Sequence, residues 1–233
     1  MTNAFGMTVA TDGPYIISVC CQKGGAGKTT TAMMLAAMLS RVFRVLFIDA
    51  DEQGSATFWS NNANGGEDLP FDFYPSVKLE ELSQLRQLPY DVIIVDTPGS
   101  FADEPMLAAV LDVTDFAILP LNADPMTVPP LLHTLRKLIL PRGIDYRVLL
   151  NNVDTRVQGE DEYLIDLCDE KLKLPRFDVL VTRRKAVSTS VIQGTVVTDY
   201  PDNRAHRHSI SDYTTLKNEV LAIREAHLAK EAH

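Results

Sequence analysis

Residues 21–30 of the 233-residue chain read CQKGGAGKTT. Three glycines, two lysines and paired threonines in ten positions are the materials of an anion site. Glycines let successive backbone N–H groups close around phosphate oxygens, and a helix opening directly behind them adds the partial positive charge of its N-terminus. In such a loop Lys28 would reach the β- and γ-phosphates of a nucleotide, and the Thr29 hydroxyl would ligate Mg2+. Two further segments place acids behind apolar runs: FIDADEQGS carries Asp49 and Asp51, and IIVDTPG carries Asp96. Strand ends are where α/β sheets gather their ligands, and Asp96 there suits a carboxylate that holds Mg2+ through water. Together the three segments indicate binding of a nucleoside triphosphate, with Gly24, Gly25, Ala26, Gly27, Lys28, Thr29 and Thr30 around its phosphates.

The elements that must position these residues are legible as alternating apolar segments. YIISVC (15–20), RVLFIDA (44–50), DVIIVDTPG (91–99), FAILPLN (116–122), YRVLLNNVD (146–154) and FDVLVTR (177–183) read as buried strands. TTTAMMLAAMLSRVF (29–43), EPMLAAVLDV, PPLLHTLRKLIL and DEYLIDLCDEKL (161–172) read as helices between them, LEELSQLRQL (79–88) as a short amphipathic helix, and the tail from Ser209 as mostly helical. SNNANGGEDLP (60–70) reads as a turn-rich loop. Strands apolar throughout, alternating with helices, imply one α/β domain with a mostly parallel sheet flanked by helices on both faces. The expected division is an N-terminal extension over 1–14, a core over 15–221 and a C-terminal tail over 222–233. The glycine loop departs from the strict G-x-x-x-x-G-K-[ST] pattern of the P-loop at Gln22, where the pattern has glycine.

Composition narrows the function further. The first basic residue is Lys23, so no basic region of a secretory signal is expected, and no apolar run reaches the eighteen residues of a membrane span. Three cysteines, Cys20, Cys21 and Cys168, form neither a disulfide framework nor a zinc pattern and read as reduced thiols of an intracellular protein. The net charge of -9 argues against nucleic-acid binding by the surface as a whole. One stretch stands apart: from Arg176 to His208 the charge is about +3, against about -12 for the remainder.

QKGGAGKTT, DADEQGSA and VDTPG, in this order and spacing, resemble the deviant-Walker ATPases of the ParA/MinD superfamily, over roughly Tyr15 to Leu221. The resemblance gives the second lysine a role. Lys23 matches the signature lysine, which reaches across a nucleotide-sandwich homodimer to phosphates held by the other subunit, as an arginine finger does. It implies that Lys23, Lys28 and Asp51 are catalytic, Asp51 being tied to the attacking water. It also places Thr29, Asp49 and Asp96 around Mg2+, makes Thr97-Pro98-Gly99 a switch that senses the γ-phosphate, and sets Asn151 against the adenine of ATP. Glu52 stands where the family often has proline, which changes the stiffness of the loop and leaves the acid and Gln53 in place.

Within the superfamily, the cysteines do not suit an iron–sulfur cluster, the tail LKNEVLAIREAHLAKEAH is a poor membrane anchor, and a tyrosine cluster is absent. Relatives that are metabolic ligases of the dethiobiotin-synthase type lack the signature lysine. The segment from Leu180 to Val220 resembles the C-terminal part of short ParA-type partition ATPases. The arginines of that branch that touch DNA match Arg183 or Arg184, and Arg204; the expected DNA-binding set is Arg183, Arg184, Lys185, Arg204 and Arg207, with phosphate contacts that carry affinity without sequence information. With fourteen residues before Tyr15, no helix-turn-helix domain of the larger relatives is expected. The expectation is a cytoplasmic, nucleoid-associated ATPase that segregates plasmid or chromosome DNA with a ParB-like partner. Two alternatives stay open: the same ATPase positioning a protein cargo through an adaptor, such as a chemoreceptor cluster or a carboxysome, or a metabolic P-loop ligase or kinase.

Overall fold

The computed structural model describes residues 13–75 and 78–231. Its centre is a seven-stranded sheet in the order β3-β2-β4-β1-β5-β6-β7, every pair parallel. The strands are β1 (Tyr15–Val19), β2 (Val45–Asp49), β3 (Asp72–Tyr74), β4 (Val92–Asp96), β5 (Phe116–Leu121), β6 (Asp145–Val153) and β7 (Arg176–Thr182). Alternate residues of one strand feed opposite faces. Ile17 and Val19 of β1, with Val45 and Phe47 of β2, pack under α1 (Lys28–Leu39) and α8 (Arg207–Glu231). Ile16, Leu46 and Ile48 pack on the other face with Val110 of α4 (Glu104–Leu111). That double burial is why these strands read as unbroken apolar runs.

Three elements lie where the sequence reading has loop or nothing: the edge strand β3, α2 (Ser55–Asn62) and α7 (Lys185–Gln193). β3 is three residues long, with exposed ends, and so carries no alternation. α2 and α7 are Ser/Thr-rich helices that support each other: Asn62 Nδ2 donates to the Val191 carbonyl of α7 at 2.8 Å, and Trp59 Nε1 to the Thr195 carbonyl just after it at 3.1 Å. The helix expected over 79–88 breaks into α3 (Leu79–Leu82) and a 3-10 turn at Leu85–Gln87. α5 (Val128–Thr134) and α6 (Glu160–Asp166) each continue as a π-helical stretch, Leu135–Ile139 and Leu167–Leu172.

α8 is a single helix, so the division expected after Leu221 falls inside it. Past that point Arg224 is almost fully buried, its guanidinium 4.6 Å from the Phe43 ring centre and 5.9 Å from that of Tyr15. α8 also covers the β7 edge. The Glu219 carboxylate accepts the Asp178 and Val179 N–H groups at 2.8 and 2.9 Å, and Asp212 accepts that of Thr182 at 3.0 Å. Occupied N–H groups remove the template for pairing with another chain. Among the described residues no helix is long and apolar enough to cross a membrane, and all three cysteines are buried free thiols.

Candidate functional site

The parallel register brings the acids and the glycine loop to one edge. Val19 of β1 pairs with Asp96 of β4, and Asp96 with Asp49 of β2, so the loop leaving β1 emerges beside both carboxylates. α1 starts at Lys28 from a left-handed Gly27 (φ 93°). Glycine is needed there twice, since a Cβ would strain the backbone and come 2.1 Å from Asn151 Nδ2. Asn151 is buried and donates to the Ala26 carbonyl at 3.0 Å, which fixes the loop from the β6 side. Lys28 is 6% exposed and its Nζ donates to the Lys23 carbonyl at 3.2 Å. A Cβ on Gly99 would come 2.7 Å from that Nζ, so the Thr97-Pro98-Gly99 segment closes directly over the lysine. Thr97 itself donates its hydroxyl to the Val19 carbonyl at 2.9 Å.

Thr29 Oγ1 donates to Asp96 Oδ2 at 2.6 Å. Asp96 is fully buried, and its Oδ1 has no hydrogen-bond partner among the described residues. Burial pushes its pKa up to about 7, against the downward pull of the Thr29 hydrogen bond and the Lys28 charge. An unfilled carboxylate oxygen beside a threonine hydroxyl is a hard-oxygen donor set, and it fits Mg2+. Asp49 is differently committed. Its Oδ2 accepts both the N–H and the hydroxyl of Thr57 at 2.8 and 2.7 Å, and its Oδ1 accepts the Asp51 N–H at 3.1 Å. Both oxygens thus fasten α2 and its leading turn, while burial raises the carboxyl pKa against these bonds. Asp51 is half-buried and accepts the Gln53 N–H at 3.0 Å. It shares with Lys28, Thr29 and Gly99 a cleft of about 610 Å³. Lys23 lies at the loop's rim, its Nζ 3.7 Å from Asp124 Oδ2 with both side chains partly exposed.

A second cleft, about 350 Å³, opens on the other side of the loop between Gly25, Gly27, Thr30, Asn151 and the end of β7. It has the place and size for the nucleoside part of a nucleotide. Arg183 and Arg184, expected at DNA, line this cleft. Arg183 is exposed with Nη1 3.7 Å from Asp154 Oδ2; the Asp154 carboxyl, held chiefly by Arg156, sits far below the usual carboxylate range. Arg184 Nε donates to Thr182 Oγ1 at 3.0 Å. Lys185 opens α7, while Arg204 and Arg207 lie exposed at the start of α8, Arg207 3.7 Å from Asp202. Arg176 sits at the opposite end of β7 in a two-point pair with Asp169, at 2.9 and 3.0 Å. The basic stretch of the sequence is therefore spread over both ends of a strand and two helices. Thr57, Trp59 and Asp124, which sequence reasoning missed, belong to the site's frame; only Trp59, the lone tryptophan, carried a signal in composition.

The sequence pattern of the CobQ/CobB/MinD/ParA nucleotide binding domain matches residues 17–230. The chain is 35% identical over 208 residues to the Maintenance of carboxysome distribution protein A of Gloeobacter kilaueensis, covering 89% of this chain and 94% of that protein. A match to the chromosome-partitioning ATPase Soj of Thermus thermophilus is 60% identical but spans 42 residues, 18% of this chain and 17% of that one. In three dimensions the chain is similar to the septum site-determining protein MinD of Pyrococcus horikoshii complexed with Mg-ADP, with a TM-score of 0.72 at 17% identity over 92% of this chain and 98% of the other. The chain belongs to the CobQ/CobB/MinD/ParA family of nucleotide-binding domains.

Proposed function

We propose that the chain is an ATPase that closes on itself as a dimer around Mg-ATP, holds non-specific DNA as a track, and moves a cargo by hydrolysing ATP when an adaptor on that cargo stimulates it. The carrying observation is the single cleft that gathers Lys28, Thr29 and Asp51 beside Asp96, with Lys23 at its rim. Lys28, held against Gly99, offsets charge on the terminal phosphates. Asp51 accepts a hydrogen bond from the attacking water and holds it in line. Lys23, released from Asp124, reaches the phosphates bound by the second subunit and stabilises the charge that develops there. Thr29 and Asp96 would hold Mg2+, which neutralises β- and γ-phosphate oxygens when bound. Asn151, Arg183 and Arg184 border the nucleoside.

A protein assembly is the favoured cargo. Likeness to the carboxysome-distribution protein runs the length of the chain, whereas likeness to the chromosome-partitioning ATPase is confined to a short segment. DNA segregation with a ParB-like partner is the second reading, supported by the exposure of Arg183, Arg204 and Arg207. Both readings place the protein on the nucleoid.

The test is phosphate release together with retention on non-specific duplex DNA at moderate salt, compared across no nucleotide, ADP and ATP. The expected result is slow Mg2+-dependent hydrolysis and retention only with ATP. Retention independent of nucleotide, or no hydrolysis with any addition, contradicts the proposal.

A further inference from the structure

The residue that breaks the strict P-loop pattern, Gln22, is almost fully buried, and its side chain makes contacts that no glycine could. Its Nε2 donates to Glu104 Oε2 at 3.1 Å, while its backbone N–H, which any residue but proline would supply, donates to Thr134 Oγ1 at 3.4 Å. Thr134 Oγ1 also lies 3.3 Å from Gln22 Oε1. Glu104 Oε2 is in turn 3.1 Å from His133 Nε2, and the Phe101 ring meets the His133 ring edge-on at 5.1 Å. The pull of Gln22 and His133 holds the Glu104 carboxyl below its ordinary pKa. A buried amide must be partnered, and its partners fix its direction.

The consequence lies in what Glu104 terminates. It is the first residue of α4, directly behind the segment that closes over Lys28 through Gly99. That segment is anchored at its start by Thr97 on the Val19 carbonyl, just before the glycine loop, and at its end by Glu104 on Gln22, within the loop. The 97–104 stretch is thus strung between the end of β1 and the P-loop, with Gly99 against the phosphate-binding lysine between them.

We propose that Gln22 is a positioning residue that sets the 97–104 segment against the P-loop, so that occupancy at Lys28 is felt at α4 and Asp51-dependent turnover proceeds from a single closed geometry. The inference rests on the ATPase reading above, and its test separates the two. Gln22→Met keeps the volume and removes both amide bonds; Glu104→Leu removes the acceptor from a half-exposed position; Glu104→Gln retains an oxygen acceptor. The two disruptive variants should each lower kcat about tenfold while leaving the KM for ATP within about twofold. Their combination should cost less than the product of the two effects, because the Gln22–Glu104 bond they share is lost only once. Glu104→Gln should stay within about twofold of the parent. Independently of turnover, hydrogen exchange of residues 97–111 should slow when a non-hydrolysable ATP analogue binds the parent, and should not in Gln22→Met. A parent that shows this protection but no hydrolysis would sink the ATPase reading and leave the bridge standing. Gln22→Met with parental kcat and parental protection, or effects of the two variants that multiply, would overturn the role of Gln22.

Discussion

The phosphate-binding edge and the basic stretch between Arg176 and His208 are both conspicuous in sequence and fare differently in space. At the first, Lys28, Thr29 and Asp96 are bound to their neighbours at 3.2 Å or less, and Lys28 and Asp96 are buried, in a register dictated by three adjacent strands. At the second, residues close in sequence separate. Arg176 is tied down at one end of β7, Arg183 and Arg184 border a cleft at the other, and Arg204 and Arg207 stand exposed just before and at the first residue of α8. Steric requirements such as glycine at position 27 are local and survive translation from sequence to structure. Charge clusters are not local, since one strand and one helix suffice to scatter them.

Five substitutions probe that contrast. Asp51→Ala should lower turnover by about 10²- to 10⁴-fold, the span of a lost acid–base or water-holding group, while ATP binding, read with a fluorescent analogue, is retained. Loss of binding would move Asp51 from the water to the nucleotide. On the basic side, Arg204→Glu should abolish retention on non-specific DNA at moderate salt without touching ATP affinity. Arg183→Ala should weaken both, because Arg183 lines the cleft proposed for the nucleoside, and should lower the salt dependence of DNA binding by about one ion. If the two variants behave alike, the stretch acts as one patch after all.

Asp96 supplies a pH test on the nucleotide-free protein. Burial raises its folded pKa to about 7, so the folded state binds a proton there that the unfolded chain has released above about pH 4. Stability from this group is therefore fully present at low pH and is lost as pH rises through about 7. Asp96→Asn should melt a few degrees above the parent at pH 8, with the gap closing toward pH 5, while Mg2+-dependent nucleotide binding is lost. A variant that melts lower at pH 8 would mean the carboxylate is satisfied there. The smallest effect is expected of Arg176→Ala: unchanged DNA retention and a stability loss under about 1 kcal/mol by denaturant titration. Weakened DNA binding in that variant would add Arg176 to the interface.

Six of the seven strands were legible as apolar runs because both faces of the sheet are covered. β3 was not, being too short to show a period. The P-loop and the three strand-end acids were legible, yet what Asp49 does was hidden, because its partner Thr57 lies on α2, a short polar helix with no apolar stripe. α8 was legible only in part. Its inward face presents Tyr213, Leu216 and Val220 at helical spacing, and then Arg224 where a further apolar residue would continue the signal. Gln22 showed as a departure from a pattern, but its meaning depended on Glu104, 82 positions away.

The claim at the centre is that Lys23 acts in trans, from a subunit that assembles on ATP. The direct measurement is solution mass by light scattering for Asp51→Ala, with and without Lys23→Gln, in Mg-ATP and in Mg-ADP. Asp51→Ala should double its mass in ATP and stay monomeric in ADP, and the added Lys23→Gln should hold it monomeric in both. A monomer in ATP, or a dimer indifferent to Lys23, would contradict the sandwich.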